Sequence, residues 1–299
     1  MKAIRLHAYG DIHQFKAEEI PTPQPGPNEV LVKLVASAVN HFDLMLRQGF
    51  MAKFIPLALP ATLGGDGAGV IEAVGPGVTA YRVGDRVVAR FNPTGRGSNA
   101  EYGVTGLSGL AHLPDSLSFE QGAALPFVGL TGRQAVEALG VKAGDRVLVS
   151  GALGGVGRTA VHYLKSLGAH PVAGVLPHQL EKARELVGEA IDMTAPAQPS
   201  FDLAIGTALP AAVAIIDHMR DGGRIASVVL TPEGAGAGRP VTIQMVAHHD
   251  DAVMLQAIVD TVAHGDLVIP VAKTFPLDQL GEAHLALAAG TEGKIVLRH

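Results

Sequence analysis

The stretch GDRVLVSGALGGVGRTAVHYLKSLGAHPVAGV, residues 144–175, limits what this chain can fold into more than any other part of it. An apolar run at 146–150 leads into a glycine-rich turn. A helical pattern follows, with Val156, Ala160, Val161, Leu164 and Leu167 on one stripe, and a second apolar run occupies 171–175. Strand, turn, helix and strand in this order make a right-handed crossover between parallel strands. Further strands expected at 201–205 and 223–230 alternate with helical stretches at 209–221 and 250–265, which extends the unit into a doubly wound parallel sheet. The fold class read from this alternation is α/β.

The turn itself, SGALGGVG at 150–157, points to what the sheet holds. Backbone N–H groups at a helix N-terminus, with no side chain in the way, suit the pyrophosphate of a dinucleotide, and Gly151, Gly154, Gly155 and Val156 offer that approach. A glycine cluster alone also fits an ordinary tight turn; the strand before it and the amphipathic helix after it favour the dinucleotide. An acidic residue about 20 positions beyond the glycines would hold the ribose 2′-hydroxyl. Here the second strand runs out through Val175, Leu176, Pro177 and His178, with no acid. NADPH is therefore the expected cofactor, its extra phosphate near His178, Lys182 or Arg184, although these basic groups equally suit a solvated helix face.

The first third of the chain changes period. EVLVKLVASAVN at 29–40 and GAGVIEAVG at 67–75 alternate as strands do, and the proline-rich 21–29 that leads into this region, which can be neither helix nor central strand, reads as a surface connection. A second domain begins between 116 and 141, where Ser118 stands as an N-cap with Gln121 three residues on. KTFPLDQLGEAHLALAAG, 273–290, reads as a last amphipathic helix and KIVLR, 294–298, as a last strand.

Composition removes whole classes of chemistry. The chain has no cysteine, so disulfides, thiol nucleophiles, thiolate zinc sites and iron–sulfur clusters are out, and any redox step must be borrowed from a cofactor. A net charge of -5 without a basic block gives no footprint for nucleic acid. The longest uncharged apolar stretch, 203–216, is broken by Pro210 and falls short of the roughly 20 residues that span a bilayer. The start, MKAIRLHAYG, lacks the apolar run of a targeting segment. A soluble, cytoplasmic protein with no membrane partner is expected.

Seven stretches, in order, carry a resemblance across nearly the whole chain: ASAVNHFDLMLRQG from Ala36, LGGDGAGVIEAVGPGV from Leu63, VGDRVVA from Val83, NAEYGV from Asn99, LPDSLSFEQGAALPFVGLT from Leu113, AGDRVLVSGALGGVG from Ala143 and GKIVL from Gly293. Together they resemble the zinc-independent quinone oxidoreductases of the medium-chain dehydrogenase/reductase superfamily. The resemblance implies a GroES-like β-rich catalytic domain at 1–117, completed by 266–299, and an NAD(P)-binding Rossmann domain at 118–265. It also implies a homodimer or homotetramer, joined through an edge strand such as 241–246. The zinc-containing relatives place a cysteine ligand where Asn40 stands and a histidine where Gly65 stands, so no metal site is expected.

The resemblance further implies that Asn40 sits beside the nicotinamide ribose and the acceptor, with Asp43 and Arg47 supporting that loop. Thr131, in a GLT motif expected to open a helix, resembles the family residue that reaches the nicotinamide end. Thr207 and Val229 stand where the sheet's carboxyl edge faces the cofactor. Asn40 and Asp43 also read as a loop-stabilising pair, and Thr131 as an N-cap. Met45 and Met51 replace tyrosines found in parts of the family, and a thioether cannot donate a proton. The cluster His248-His249-Asp250-Asp251 lacks the i, i+4 spacing that aligns two metal ligands on a helix, and its two acids suit a helix start. The function expected is NADPH-dependent reduction of a quinone. The alternatives are reduction of an enone or alkenal double bond, and an NADPH-binding protein without turnover.

Overall fold

A computed structural model describes all residues, 1–299. The chain forms two compact units: Met1–Phe127 with Asp250–His299, and Val128–His249.

The first unit opens with β1 (Lys2–Leu6), β2 (Phe15–Glu19) and β3 (Glu29–Val39), then helix α1 (His41–Gln48). Strands β4 (Ala61–Thr62), β5 (Asp66–Val74), β6 (Arg86–Arg90), β7 (Tyr102–Gly106) and β8 (Leu110–His112) follow, then helix α2 (Phe119–Ala123); helix α3 (Pro126–Leu139) starts here, and from Val128 on it belongs to the second unit. β3 is the longest strand, and its buried side chains pack with Ile71, Val87, Ala89 and Leu110. It pairs antiparallel with both β5 and β7, while 21–27, rich in prolines without N–H donors, stays outside every ladder. α1 ends where Gly49 turns left-handed at φ 81°.

The second unit continues with β9 (Arg146–Ser150), α4 (Gly155–Ser166), β10 (His170–Val175), α5 (Leu180–Val187), β11 (Ala190–Asp192), β12 (Phe201–Gly206), α6 (Ala214–Asp217), β13 (Met219–Ser227) and β14 (Thr242–Met245). Its sheet has the order β11-β10-β9-β12-β13-β14, with every neighbouring pair parallel. The strand sequence reverses between β9 and β12, and such reversals are where doubly wound sheets hold ligands at their carboxyl ends. Val147, Val149, Ile205 and the α4 residues Ala160, Val161 and Leu164 form the buried contact between helix and sheet. No helix of the structure is long and apolar enough to cross a membrane.

The chain then returns to the first unit through α7 (Ala252–His264), β15 (Val271–Pro276), α8 (Leu280–Ala288) and β16 (Lys294–Arg298). β16 pairs antiparallel with β3 and so joins the chain's end to its first third.

Three elements depart from the expectation. The helix expected at 209–221 shrinks to a 3₁₀ turn at 209–211 and the four residues of α6, because β13 begins at Met219. The helix expected from 273 starts at Leu280, since 271–276 pair in parallel with β16, and β13 stops at Ser227 rather than 230. Residues 118–127 and 250–265, expected in the nucleotide domain, group with the first unit. The reason lies in packing: a Cβ on Gly122 of α2 would touch Val88 and Leu113, and Gln256 of α7 accepts the His112 amide at 2.8 Å.

Candidate active site

In the first unit, antiparallel registers collect charged residues far apart in sequence. Asp66 begins β5 and Arg90 ends β6, and the two are cross-strand partners. Ala38 pairs with Asp66, and Val39 pairs with Ile295, which brings Asn40 and Lys294 to the same corner. Asn40, Asp43, Asp66, Arg90 and Lys294 are all buried there.

Their contacts form one network. Arg90 Nη1 donates to Asp66 Oδ1 at 2.7 Å, and the Phe127 amide donates to the same oxygen at 3.1 Å. Asn40 Nδ2 donates to Asp66 Oδ2 at 2.9 Å. Lys294 Nζ donates to Asn40 Oδ1 and to the Val39 carbonyl oxygen at 3.2 Å, and lies 4.0 Å from Asp66 Oδ2. Asp43 Oδ2 accepts the Asn40 backbone N–H at 2.8 Å, which secures the start of α1. Asn40's own side chain turns away from that helix to Asp66 and Lys294.

Burial sets the protonation of this corner. Loss of hydration pushes the Asp43 carboxyl up to about 7, helped by the charge of Asp66 and opposed by the Asn40 amide, Lys294 and Arg90. Burial likewise lowers Lys294, which Asp66 and Asp43 counteract, and it lowers His41, with Lys294 adding to that effect.

These residues do not fit a zinc ion. A Cβ on Gly65 would lie 2.5 Å from Arg90 Nη1, so the guanidinium fills the space a ligand side chain at 65 needs. The single carboxylate of Asp66 is already engaged by Arg90 and Lys294, whose two positive charges outweigh it and repel a divalent cation, and the chain offers no thiolate. The histidine-aspartate cluster disperses: His248 Nδ1 lies 3.1 Å from Thr131 Oγ1, the His249 carbonyl accepts from Gln134, and Asp250 stands 3.6 Å from Arg90. Asp251 caps α7 through the Met254 amide.

In the second unit the glycine turn has the shape a dinucleotide needs. Gly151 adopts φ 70°, and a Cβ there would meet Thr207 Oγ1 at 2.7 Å. Gly154 is the N-cap of α4, and the only atom a Cβ there would approach is the Gly151 oxygen at 3.4 Å. The amides of Gly155, Val156 and Gly157 in the first turn lack intrahelical acceptors, as helix geometry requires. Thr207 Oγ1 donates to the Ser150 carbonyl at 2.6 Å and ties β12 to the turn, while Ser227 Oγ donates to the Val229 carbonyl at 2.7 Å. Thr207 and Val229 thus stand with the glycines on the carboxyl edge of the sheet.

A Cβ on Gly157 would lie 2.3 Å from the Gly151 carbonyl oxygen, which is backbone and cannot swing aside. Gly157→Ala is expected to cost about 1–3 kcal/mol through overpacking. A thermal midpoint unchanged from the parent protein would show that α4 shifts freely.

Two expected positions are refined. Thr131 does not cap a helix: α3 begins at Pro126, and Thr131 lies buried in its second turn. His178, in a 3₁₀ turn after β10, and Lys182, in the first turn of α5, are both exposed. Sequence reasoning missed Asp66, Arg90 and Lys294 as residues of the site. The available signals were slight: one acid within LGGDGAGV, and one charge within KIVL.

Comparison with known proteins agrees with both units. Residues 26–125 match the alcohol dehydrogenase GroES-like domain and 181–297 the zinc-binding dehydrogenase family. The quinone oxidoreductase of Pseudomonas aeruginosa is 31% identical over 332 aligned residues, covering 99% of each chain. The chain belongs to the quinone oxidoreductase family of the medium-chain dehydrogenase/reductase superfamily. The human quinone oxidoreductase matches at 39% identity over 170 residues, 56% of this chain and 50% of that protein. Among solved structures, a quinone oxidoreductase from Coxiella burnetii superposes with TM-score 0.88 at 26% identity, covering 100% of this chain and 99% of that one. An NAD-dependent alcohol dehydrogenase superposes with TM-score 0.87 at 31% identity over 100% of both chains. Members of this superfamily are oxidoreductases that use a nicotinamide cofactor, and this chain is one of them.

Proposed function

We propose that the protein is a zinc-independent, NADPH-dependent quinone oxidoreductase. The observation that carries this reading is the buried corner where Arg90 and Lys294 stand against Asp66 and Asn40, next to positions 40 and 65, where the resemblance puts the ligands of the zinc-containing relatives. Without a Lewis acid, the acceptor must already be electrophilic, and a quinone is.

When bound, the nicotinamide supplies a hydride. Gly151, Gly154, Gly155 and Val156 hold the pyrophosphate, and Thr131, Thr207 and Val229 flank the nicotinamide end. Asn40 donates an N–H to the acceptor oxygen that gains negative charge, and Asp43 holds the loop from which it does so. His178 and Lys182 receive the 2′-phosphate. The absence of an acid from 175–180 supports NADPH over NADH, even though one structural relative is named for NAD. Reduction of an enone is the second reading, since its carbonyl oxygen gains the same charge and Met45 and Met51 deny either reaction a local proton donor.

Oxidation of NADPH by 1,4-benzoquinone after exhaustive chelation tests this. Turnover unchanged by chelation, with kcat/KM about tenfold higher for NADPH than for NADH, is expected. Activity that vanishes on chelation and returns with zinc overturns the mechanism, a preference for NADH overturns the cofactor, and a saturated ketone from an enone with no quinone turnover favours the second reading.

A further inference from the structure

We propose that Lys294 and Asp66 are positioning residues that lock the Asn40 carboxamide in one orientation, so that Asn40 presents an N–H and not its carbonyl oxygen to the acceptor. The inference rests on the quinone-reductase reading for its consequence in catalysis, but the orientation follows from chemistry on either side of the amide. An ammonium has only donors and a carboxylate only acceptors. Lys294 Nζ meets Asn40 Oδ1, and Asp66 Oδ2 meets Asn40 Nδ2 at 2.9 Å. Turning the amide over would set its hydrogens against the ammonium and its oxygen against the carboxylate, two repulsive contacts in place of two charge-assisted bonds.

Neither partner can move to relieve that. Asp66 is 0% exposed and is held by Arg90 Nη1 and the Phe127 amide, while Lys294 is 6% exposed and is also bound to the Val39 carbonyl. Asn40 stands at the N-cap of α1 but makes no side-chain cap bond there, so the helix does not claim its amide. One Nδ2 hydrogen remains. A locked donor at this place favours a ligand oxygen that accepts, such as a quinone carbonyl, and offers nothing to a hydroxyl that must donate.

The test is a double-mutant cycle on kcat with the full-length protein, 1,4-benzoquinone and NADPH. Lys294→Met is expected to lower kcat on the order of tenfold to a hundredfold with the KM for NADPH within about twofold, and Lys294→Gln, which still donates, less. In an Asn40→Ala background Lys294→Met should change kcat no further, because it acts through Asn40. An equal loss in both backgrounds overturns the proposal. A readout independent of turnover is the side-chain amide spectrum of protein labelled with ¹⁵N-asparagine, which holds only Asn28, Asn40, Asn92 and Asn99. Asn40, assigned from the pair lost in Asn40→Ala, is expected to show no amide flipping, and to broaden or shift in Lys294→Met and Lys294→Gln. If no quinone is reduced, the functional reading falls and this spectrum alone decides; an Asn40 pair untouched by both variants overturns the lock.

Discussion

Asp66→Leu is expected to destabilise the first unit by about 3–5 kcal/mol, the cost of removing one partner from a buried ion pair. Arg90 and Lys294 are 7% and 6% exposed and would be left as two charges without the carboxylate that faces both. The Phe127 amide and Asn40 Nδ2 would lose their acceptor as well. Asp66→Asn should cost less, because its oxygen can still accept from Arg90. Combining Asp66→Leu with Arg90→Met and Lys294→Met should recover much of the loss, since apolar groups of similar volume carry no desolvation cost. The chain lacks tryptophan, so urea denaturation is best followed by far-ultraviolet circular dichroism. A change below about 0.5 kcal/mol for Asp66→Leu would mean that the two cations find water or other partners, and the account of the corner given above would be wrong.

Acid is expected to weaken the fold through a histidine outside the Asp66 network. His284 on α8 is 1% exposed, lies edge-to-face with Phe15 at 5.1 Å, and has no hydrogen-bond partner on either ring nitrogen. Burial lowers its pKa to about 3, and the positive charge of Arg47 adds to this. The folded protein therefore keeps the ring neutral while the unfolded chain takes up a proton near pH 6.5. The full stability is present above about pH 6.5 and falls by roughly 1.4 kcal/mol per pH unit as the pH drops towards about 3. His284→Leu removes this contribution. The stability gap between parent and variant should widen in the variant's favour by about 3 kcal/mol from about pH 7 to about pH 4.5. Parallel pH curves would show that the ring is hydrated or protonated in the fold.

Both results turn on a difference in how residues announce themselves. The βαβ unit at 144–175 was legible because its determinants are local: a period of two, then glycines, then a period of 3.6. Its strands and helix fall within a residue or so of the expected positions, and Gly151, Gly154 and Thr207 do meet on one sheet edge. The short α6 and the late start of α8 were not legible, because parallel pairing of β15 with β16 and the early start of β13 outweigh helical periodicity. Thr131 misled for a related reason, since a GLT motif does not reveal that its helix started five residues earlier at Pro126.

From the sequence by itself came the α/β class, a glycine turn suited to a dinucleotide and the absence of thiolate chemistry; the family resemblance added that Asn40 and Gly65 stand where the zinc-containing relatives carry ligands. Only the tertiary structure decided what stands there instead. Asp66, Arg90 and Lys294 lie 24 and 228 residues apart in sequence, and no local pattern links them. The antiparallel registers of β3 with β5 and β16, and of β5 with β6, place them against Asn40. Long-range strand pairing sets such contacts, and once water is excluded each charge can be satisfied only by the others.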